Sequence, residues 1–349
     1  MADNPLSTDL DHVLLRTRPL WEELRGRRLF VTGGTGFFGC WLLESFAWAN
    51  QRLGVGAEML VLTRNPERFR NKAPHLAARP DIQFHTGDAR DFEFPAGPFS
   101  HVIHAATESA AKLGEEDPAR MLETIVAGTR RALDFAARCG AKKFLLTSSG
   151  AVYGAQPPDM THIAEDFARL HDETIPRSAY GEGKRRTELL CEEYGRRHSI
   201  ETKIARCFAF VGPYLPLDAH FAIGNFIRDA LAGGPIRVTG DGAPFRSYLY
   251  AADLAAWLWT ILLRGANNRP YNVGSSQAVT IAETAAAVAR ALGGTALVSI
   301  AQKPVSGRPA PRYVPDISRA ANELQLDQWT QLDDAIRATA LWHRQIRPG

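Results

Sequence analysis

Tyr180 and Lys184 stand four residues apart in the segment Ser178–Lys184. On one face of a helix, residues at this spacing are neighbours, so the Lys184 ammonium would lie near the Tyr180 phenol and stabilise its phenolate. A phenol that ordinarily ionises near pH ~10 then becomes usable as a general acid or base close to neutrality. The pair therefore predicts proton transfer to and from an alcohol or a ketone.

A glycine-rich turn lies far upstream in Thr32–Gly39, where Gly33, Gly36 and Gly39 give the pattern G-x-x-G-x-x-G. Glycines here allow a tight turn and let a pyrophosphate approach the backbone amides of a helix N-terminus, where the helix dipole favours anions. The alternative is a plain turn without a ligand. The position between the first strand-like run and a helix-like run favours dinucleotide binding, and hence redox chemistry.

Ser148 and Ser149 directly follow the strand-like run Lys143–Thr147. A hydroxyl at the carboxyl end of a strand can hydrogen-bond the substrate oxygen that Tyr180 protonates or deprotonates. Serines at such positions are also common turn formers. Because Tyr180 and Lys184 follow downstream, we expect Ser149 to belong to the same site.

Strand-like and helix-like segments alternate up to about residue 210. The predicted strands are Arg28–Thr32, Met59–Thr63, Ile82–His85, His101–His104, Lys143–Thr147 and Thr202–Arg206. The predicted helices are 38–50, 118–139 and 179–198, preceded by an amphipathic helix over Thr8–Leu24 with a capping box at Thr8 and Asp11. This alternation implies an α/β fold with a Rossmann-type doubly wound parallel sheet and ligands at the carboxyl ends of its strands.

Residues 25–212 are expected to form the dinucleotide-binding domain. After Gly212-Pro213 the pattern loosens into a helix near 222–232, a strand at 236–238 and an alanine-rich helix at 280–292. Residues 213–349 are therefore predicted to be mainly a smaller α/β domain that binds the substrate. Within them, we expect 247–273 to return to the main sheet through Ser247–Tyr250 and a helix over 253–263.

Composition excludes several classes of protein. The net charge of +3, from 41 basic and 38 acidic residues without a basic block, argues against a nucleic-acid partner. Four cysteines without paired spacing and ten histidines without an H-E-x-x-H pattern argue against disulfides and a metal site.

The N-terminus lacks a signal peptide's apolar core, and the longest apolar stretch, Leu254–Leu263, is about half the ~20 residues that span a bilayer. We expect a cytoplasmic protein without a membrane partner.

The order of these elements resembles the extended branch of the short-chain dehydrogenase/reductase superfamily, the nucleotide-sugar epimerase/dehydratase family. The resemblance covers nearly the whole chain from about residue 27. Further motifs that carry it are Gly87-Asp88, His104-Ala-Ala106, Gly128-Thr129, Gly212-Pro213, Asp241-Gly-Ala-Pro-Phe-Arg246, Tyr271-Asn-Val-Gly274 and Asp316-Ile-Ser318. No single motif is decisive, but their order and spacing are specific.

The resemblance implies a nicotinamide cofactor, NAD, and a nucleotide-diphosphate sugar as substrate. It makes Tyr180 the acid and base, Ser149 the hydroxyl that binds the substrate oxygen, and Lys184 the residue that orients the nicotinamide ribose. The cofactor-binding set that it implies is Gly33, Thr35, Gly36, Phe37, Phe38, Gly39, Arg64, Asp88, Ala89, Ala105, Ala106, Tyr180 and Lys184, with Asp88 near the adenine. The substrate-binding set is Ser149, Asn225, Arg246 and Arg308, whose two arginines would clamp the diphosphate with forked guanidinium groups. In relatives, helices such as 118–139 and 179–198 pair across a homodimer; the alternative is that they only cover the sheet.

Several positions depart from the family pattern. Dehydratases and decarboxylases usually carry acidic residues directly after the catalytic hydroxyl, whereas this chain has Gly150 and Ala151. Many members end the second strand with an acidic residue that holds the ribose hydroxyls; here Arg64 could bind a 2′-phosphate, so NADP is the alternative cofactor. Ile125 and Ala209 replace asparagines that are frequent in sugar-nucleotide epimerases, which weakens any claim to a galactose-type substrate.

The expected activity is that of a nucleotide-sugar epimerase that works through a transient keto sugar. The first alternative, favoured by Arg64, is an NADPH-dependent reductase of a nucleotide-linked 4-keto sugar. A 4,6-dehydratase and a cofactor-binding protein without turnover are the remaining alternatives.

Overall fold

Runs of leucine, isoleucine, valine and phenylalanine form the strands of the central sheet, because such side chains fill both buried faces of a parallel sheet. The computed structural model describes residues 4–106, 117–167, 178–219, 221–294, 296–305, 307 and 309–346. Its strands are β1 (Arg28–Thr32), β2 (Glu58–Thr63), β3 (Ile82–Thr86), β4 (His101–His104), β5 (Lys143–Ser149), β6 (Glu201–Cys207), β7 (Phe210–Val211), β8 (Ile236–Val238), β9 (Phe245–Arg246), β10 (Leu249–Tyr250), β11 (Arg269–Val273), β12 (Val279–Thr280), β13 (Val298–Ile300) and β14 (Arg312–Tyr313).

The helices between these strands have apolar faces that cover the sheets. They are α1 (Ser7–Thr17), α2 (Phe37–Leu53), α3 (Pro66–Lys72), α4 (Pro74–Ala77), α5 (Pro118–Cys139), α6 (Ala179–His198), α7 (Ala222–Leu231), α8 (Ala251–Arg264), α9 (Ile281–Ala291), α10 (Ser318–Leu324) and α11 (Leu332–Ile346), with 3₁₀ turns at Arg18–Leu24 and Gly150–Tyr153. No helix in the described ranges combines the length and the apolar character that a membrane crossing requires.

The main sheet has seven strands in the order β11-β6-β5-β4-β1-β2-β3. The pairs among β1 to β6 are parallel, with Leu29 opposite both Met59 and His101. The order turns at β1 and β4, which is the switch point where doubly wound sheets bind ligands. The predicted Rossmann-type α/β fold is therefore confirmed.

An aromatic cluster packs α5 against this sheet. Phe30 of β1 lies 4.5 Å from Phe135 of α5 and 5.3 Å from Phe92, measured between ring centroids. All three rings are buried. Aromatic pairs at such distances contribute about 0.5–1.5 kcal/mol beyond the burial of their area, so they hold α5 firmly behind the switch point.

The N-terminal segment differs from the prediction. α1 begins at Ser7 after Leu6 and has no side-chain cap, so the capping box predicted at Thr8 is wrong. Instead, the backbone amide of Leu6 donates to the Asn4 side chain at 2.9 Å, which turns the chain into the helix. The helix also ends at Thr17, and a 3₁₀ segment with Pro19 near its start continues to Leu24. A proline lacks the amide that an unbroken helix would need there.

The chain divides into two compact units. Unit 1 comprises residues 1–154, 176–207 and 255–271, and unit 2 comprises 155–175, 208–254 and 272–349. Of the segment 247–273, residues 255–271 lie in unit 1. Ser247–Tyr250 were predicted to return to the main sheet, and this prediction is wrong. β10 pairs in parallel with β7, with Leu249 opposite Phe210. An apolar run predicts a strand, but its pairing partner depends on tertiary contacts.

Candidate functional site

Lys184 lies in unit 1, inside the junction between α6 and the end of β5. Its ammonium donates to the carbonyl of Thr147 at 2.8 Å, and its side chain is only 2% exposed. Burial lowers the pKa of Lys184 to about 8, because the charged form loses its hydration. Lys184 therefore carries its positive charge near neutral pH and loses it as the pH rises through about 8.

Tyr180 stands one turn before Lys184, in the first turn of α6. The Lys184 ammonium lies 5.7 Å from the centroid of the Tyr180 ring. The hydroxyl of Ser178 caps the helix by accepting from the amide of Gly181 at 3.1 Å, so the turn that carries Tyr180 is well formed. The predicted spacing thus places this aromatic side chain beside a buried cation.

Gly181 allows α6 to approach the turn after β5. A Cβ atom at this position would lie 2.4 Å from the carbonyl oxygen of Ala151, closer than real Cβ atoms come. Only glycine fits here without a backbone shift. The close contact brings the first turn of α6 against the 3₁₀ turn that follows Ser149.

Ser149 ends β5 and begins that 3₁₀ turn. Its side chain accepts from the amide of Ala151 at 3.2 Å and is 6% exposed. A serine hydroxyl carries one donor hydrogen in addition to its accepting oxygen. The structure therefore brings Ser149, Tyr180 and Lys184 to one junction, formed by the carboxyl end of β5 and the start of α6.

The glycine-rich turn joins β1 to α2 and has the form of a phosphate cradle. Gly33 has φ +74°, and a Cβ atom there would lie 2.4–2.5 Å from the backbone of Ala105 and Ala106. The N-cap residue of α2 is Gly36, so no N-cap side chain accepts a hydrogen bond from the first amides of the helix. A 17-residue helix whose N-terminal amides are left uncapped by a side chain suits an anionic pyrophosphate. The turn therefore fits the pyrophosphate of a dinucleotide such as NAD.

Lys72 supports this turn from α3. Its ammonium donates to the carbonyl of Thr35 at 2.9 Å, although the two residues are 37 positions apart. Phe37 and Phe38 begin α2, with ring centroids 5.7 Å apart and side chains of intermediate exposure. The sequence did not single out Lys72, because nothing local links it to Thr35.

A buried histidine joins the two strands of the switch point. The Thr32 hydroxyl lies 2.7 Å from Nδ1 of His104, and the Thr129 hydroxyl lies 3.1 Å from Nε2. Thr129 donates to a helix carbonyl, so Nε2 is the donating nitrogen and Nδ1 accepts from Thr32. Burial lowers the pKa of His104 to about 3, so the ring is neutral. The amide of Ala106 also donates to the Thr32 hydroxyl at 3.3 Å, which fixes Ala105 and Ala106 beside Gly33.

Asp88 and Arg64 lie at the neighbouring strand ends of β3 and β2. Asp88 accepts from the Arg90 side chain at 2.8 Å, and this hydrogen bond lowers the pKa of Asp88 below its ordinary value. One Arg64 nitrogen is 4.0 Å from the Asp88 carboxylate, while the Arg64 side chain is 68% exposed. Ala89 follows Asp88 and faces Gly128 of α5, where a Cβ atom would lie 3.6 Å from that of Ala89. An exposed arginine at the end of the second strand can meet either a solvent ion or a 2′-phosphate.

Two predicted substrate residues belong to unit 2. Asn225 on α7 accepts from Arg228 at 3.2 Å. Arg246 on β9 donates to the carbonyl of Phe245 at 2.8 Å, with its guanidinium carbon 5.9 Å from the Tyr313 ring centroid. Arg308 lies outside the described residues.

A buried ion pair behind the junction was not predicted. Glu188 of α6 binds Arg206 of β6 through three hydrogen bonds of 2.7–3.2 Å, and Ser148 donates to Glu188 at 2.5 Å. The spacing of four residues from Tyr180 to Lys184 and again to Glu188 was the available signal, since all three then share a helix face.

Comparison with known proteins gives a consistent group of relatives. A family model described as "NAD dependent epimerase/dehydratase family" matches residues 29–274. UDP-glucuronic acid decarboxylase 1 of Arabidopsis thaliana is 29% identical over 88% of this chain and 68% of its own length. UDP-glucuronic acid decarboxylase 3 of the same plant is 30% identical over 88% of this chain and 86% of its own length. The chain covers 65% of decarboxylase 2 from that plant, just under two thirds of its length.

Solved structures share the fold over most of the chain. DesIV, a dTDP-glucose 4,6-dehydratase from Streptomyces venezuelae solved with NAD bound, is 25% identical, with a TM-score of 0.75 over 92% of this chain and 98% of that one. UDP-glucuronic acid 4-epimerase from Bacillus cereus, solved with UDP-glucuronic acid and NAD, is 21% identical, with a TM-score of 0.75 over 92% of this chain and 100% of that one. At 21% identity, the second likeness concerns the fold alone.

Proposed function

Because this chain belongs to the NAD dependent epimerase/dehydratase family, an enzyme family that uses NAD, we propose that it is a nucleotide-sugar epimerase that acts through a transient keto sugar. The observation that carries the proposal is the junction of Ser149, Tyr180 and Lys184 combined with the residues that follow Ser149. Gly150 and Ala151 stand there, and neither offers a carboxylate. The site thus holds the groups for oxidation and reduction without the acid expected for elimination.

The roles of the three residues follow from their surroundings. The buried Lys184 ammonium favours the phenolate of Tyr180, which removes the proton from the sugar hydroxyl as a general base. Bound NAD would supply the chemistry of accepting a hydride from the carbinol carbon and returning it. Ser149 donates its hydroxyl hydrogen to the substrate oxygen and so stabilises charge that develops on it. After the sugar presents its other face, Tyr180 returns the proton.

The residues that would hold NAD surround the switch point of the sheet. Gly33, Gly36 and Gly39 would admit the pyrophosphate to the amides of α2, and Asp88 would lie toward the adenine. The remaining members of this set are Thr35, Phe37, Phe38, Arg64, Ala89, Ala105 and Ala106, with Tyr180 and Lys184 toward the nicotinamide ribose. The shape of the turn supports the assignment of its glycines, because a Cβ atom at Gly33 or Gly39 would collide with the backbone of Ala105 and Ala106 or of Gly33 and Gly34.

The substrate that we propose is a sugar linked to a nucleoside diphosphate, with UDP sugars first among those to test. The names of the relatives support UDP-glucuronic acid as one candidate. Arg246 and Arg308 would bind the diphosphate, and Asn225 would contact the nucleotide-linked portion. The relatives' names suggest decarboxylation. We do not propose this reaction, because this chain has Gly150 and Ala151 where an acidic residue is expected.

A panel of nucleotide sugars tests the proposal in one experiment. The purified protein is incubated separately with UDP-, dTDP-, CDP- and GDP-linked sugars, and products are resolved by chromatography and mass spectrometry. An epimerase changes retention without changing mass, whereas decarboxylation loses CO₂, dehydration loses water and reduction adds two hydrogens. The proposal is contradicted if the protein holds no NAD and leaves the configuration of every sugar unchanged.

A reductase is the second candidate, and the exposed Arg64 at the end of β2 favours it. Replacing Arg64 by alanine is then expected to weaken NADPH binding by about tenfold or more, since each lost charge-assisted hydrogen bond contributes about 1.5–3 kcal/mol. NAD affinity should hardly change. Titration of both cofactors against wild type and R64A measures this, with R68A on exposed α3 as the matched control. Equal effects on NAD and NADPH would remove the case for a reductase.

We also propose a homodimer through α5 and α6. An open groove of about 410 Å³ is lined by three apolar residues of α5, Leu122, Val126 and Ala127, and by six charged residues, which are Arg90, Glu123, Arg130, Arg131, Asp134 and Arg186. Leu189 of α6 is 48% exposed. Covering such apolar side chains stabilises association. Light scattering should give twice the mass of the chain.

A further inference from the structure

The ion pair behind the junction links the same structural elements as the proposed acid and base. Glu188 is 11% exposed at its side chain and Arg206 is 3% exposed, so both charges are largely removed from water. Arg206 also donates to the hydroxyl of Tyr153 at 2.9 Å. Removing one partner of a buried ion pair leaves an uncompensated charge in the protein interior. An intact pair with satisfied hydrogen bonds holds the segments that carry its two residues in a fixed arrangement.

This network makes hydrogen bonds to residues that precede and follow Ser149 in the chain. Ser148, the residue before it, donates to Glu188 at 2.5 Å. Tyr153, at the end of the 3₁₀ turn that Ser149 begins, accepts from Arg206. The segment that carries Ser149 is therefore tied at one end to α6 and at the other to β6. Loss of the Glu188 carboxylate would therefore remove the side-chain hydrogen bond that ties the Ser148 end of this segment to α6.

The network also sets the charge around Lys184. His104 is neutral, because burial lowers its pKa to about 3, and the cations are Lys184 and Arg206. Cys207, Glu188 and Cys191 are the groups that act to raise the pKa of Lys184. Burial raises the pKa of Cys207 to about 12 and that of Cys191 still further, so both thiols are uncharged near neutrality. Among these described groups, Glu188 alone supplies a negative charge, which pairs with Arg206 and also acts to raise the pKa of Lys184.

On the basis of the proposed function, we propose that Glu188 is a positioning residue for the acid–base pair. It ties the Ser149 segment to α6 and supplies the buried negative charge that helps Lys184 stay protonated. When Tyr180 is a phenolate, the charges of Tyr180, Lys184, Glu188 and Arg206 balance. Glu188 thus acts through Lys184 and Ser149 and does not touch the substrate.

The test is a titration of Lys184 that needs no turnover. The full chain, with whatever NAD it retains, is labelled with [ε-¹³C]lysine, and the Lys184 signal is identified by its absence in K184M. In E188Q the pKa of Lys184 is expected to fall by about one unit or more, because an opposite charge nearby is lost. R206M removes the partner of Glu188 but keeps the carboxylate, so the Lys184 pKa should not fall in R206M as it does in E188Q. E192Q is the matched control: Glu192 is one turn further along α6 and pairs with Arg196 at 3.3 Å on the surface.

Two further readouts keep the outcome decisive. If E188Q does not fold, the double variant E188Q/R206M, which removes both charges of the buried pair, is expected to fold. Its Lys184 pKa should then lie below that of R206M, because only the double variant lacks the Glu188 charge. In active protein, the alkaline limb of the kcat–pH profile should move to lower pH in E188Q, with KM nearly unchanged. A Lys184 pKa that is the same in folded E188Q as in wild type, or the same in E188Q/R206M as in R206M, would overturn the inference. Shifted pKa values in a protein that epimerises no sugar would contradict only the proposed function.

Discussion

Replacing Tyr180 by phenylalanine is expected to lower kcat by about 10²–10⁴-fold, the usual contribution of a general acid or base. This corresponds to about 3–5 kcal/mol in the activation barrier. The physical reason is that the variant keeps the ring beside the Lys184 ammonium but has no oxygen to carry the proton. The measurement is turnover of whichever nucleotide sugar the panel identifies, with bound NAD quantified in the same samples.

Tyr194 provides the matched control for this experiment. It lies on the same helix, and its hydroxyl donates to Asp134 at 2.6 Å, away from the junction. The change of Tyr194 to phenylalanine removes the same atom and should leave kcat close to that of wild type. A Y180F protein that binds NAD and retains kcat within about threefold of wild type would contradict the acid–base role, since such a group contributes at least ~10²-fold.

Replacing Gly39 by alanine is expected to weaken NAD binding by about tenfold or more, a loss of about 1.4 kcal/mol, and to lower the free energy of unfolding. A Cβ atom there would lie 2.3 Å from the carbonyl oxygen of Gly33 and from two atoms of Gly34. All three are backbone atoms, so no side chain can rotate away. Inserting a methyl group into such a close contact costs about 1–3 kcal/mol and would displace the N-terminus of α2 from the cradle.

Isothermal titration with NAD and denaturant unfolding measure the two effects of G39A. Gly240 is the matched control, because a Cβ atom there has nothing within 4 Å and its φ is not in the left-handed region. G240A should bind NAD and unfold like wild type. Wild-type affinity in G39A would show that α2 need not approach the glycine turn for the cofactor to bind.

Residues close together in the sequence were predictable. The strands β1 and β4 and the helices α5 and α6 have the predicted bounds, because runs of buried side chains and helical periodicity are local signals. The neighbourhood of Tyr180 and Lys184 is likewise local, since four residues make about one helical turn. The family, the nicotinamide cofactor and the fold followed from the order of such local motifs, and the comparisons confirm them.

Contacts between distant positions were decided only by the tertiary structure. Thr35 meets Lys72, and Ser148 meets Glu188, across 37 and 40 positions of the chain. The pairing of β10 with β7 was mispredicted for the same reason, because the partner of a strand depends on tertiary contacts. The end of α1 is different: Pro19 is a local signal against a continuous helix to Leu24, and the prediction did not use it. A sequence pattern reports which faces are apolar, whereas the burial of Lys184, and with it the lowered pKa that suits its proposed task, arises only when α6 packs against β5.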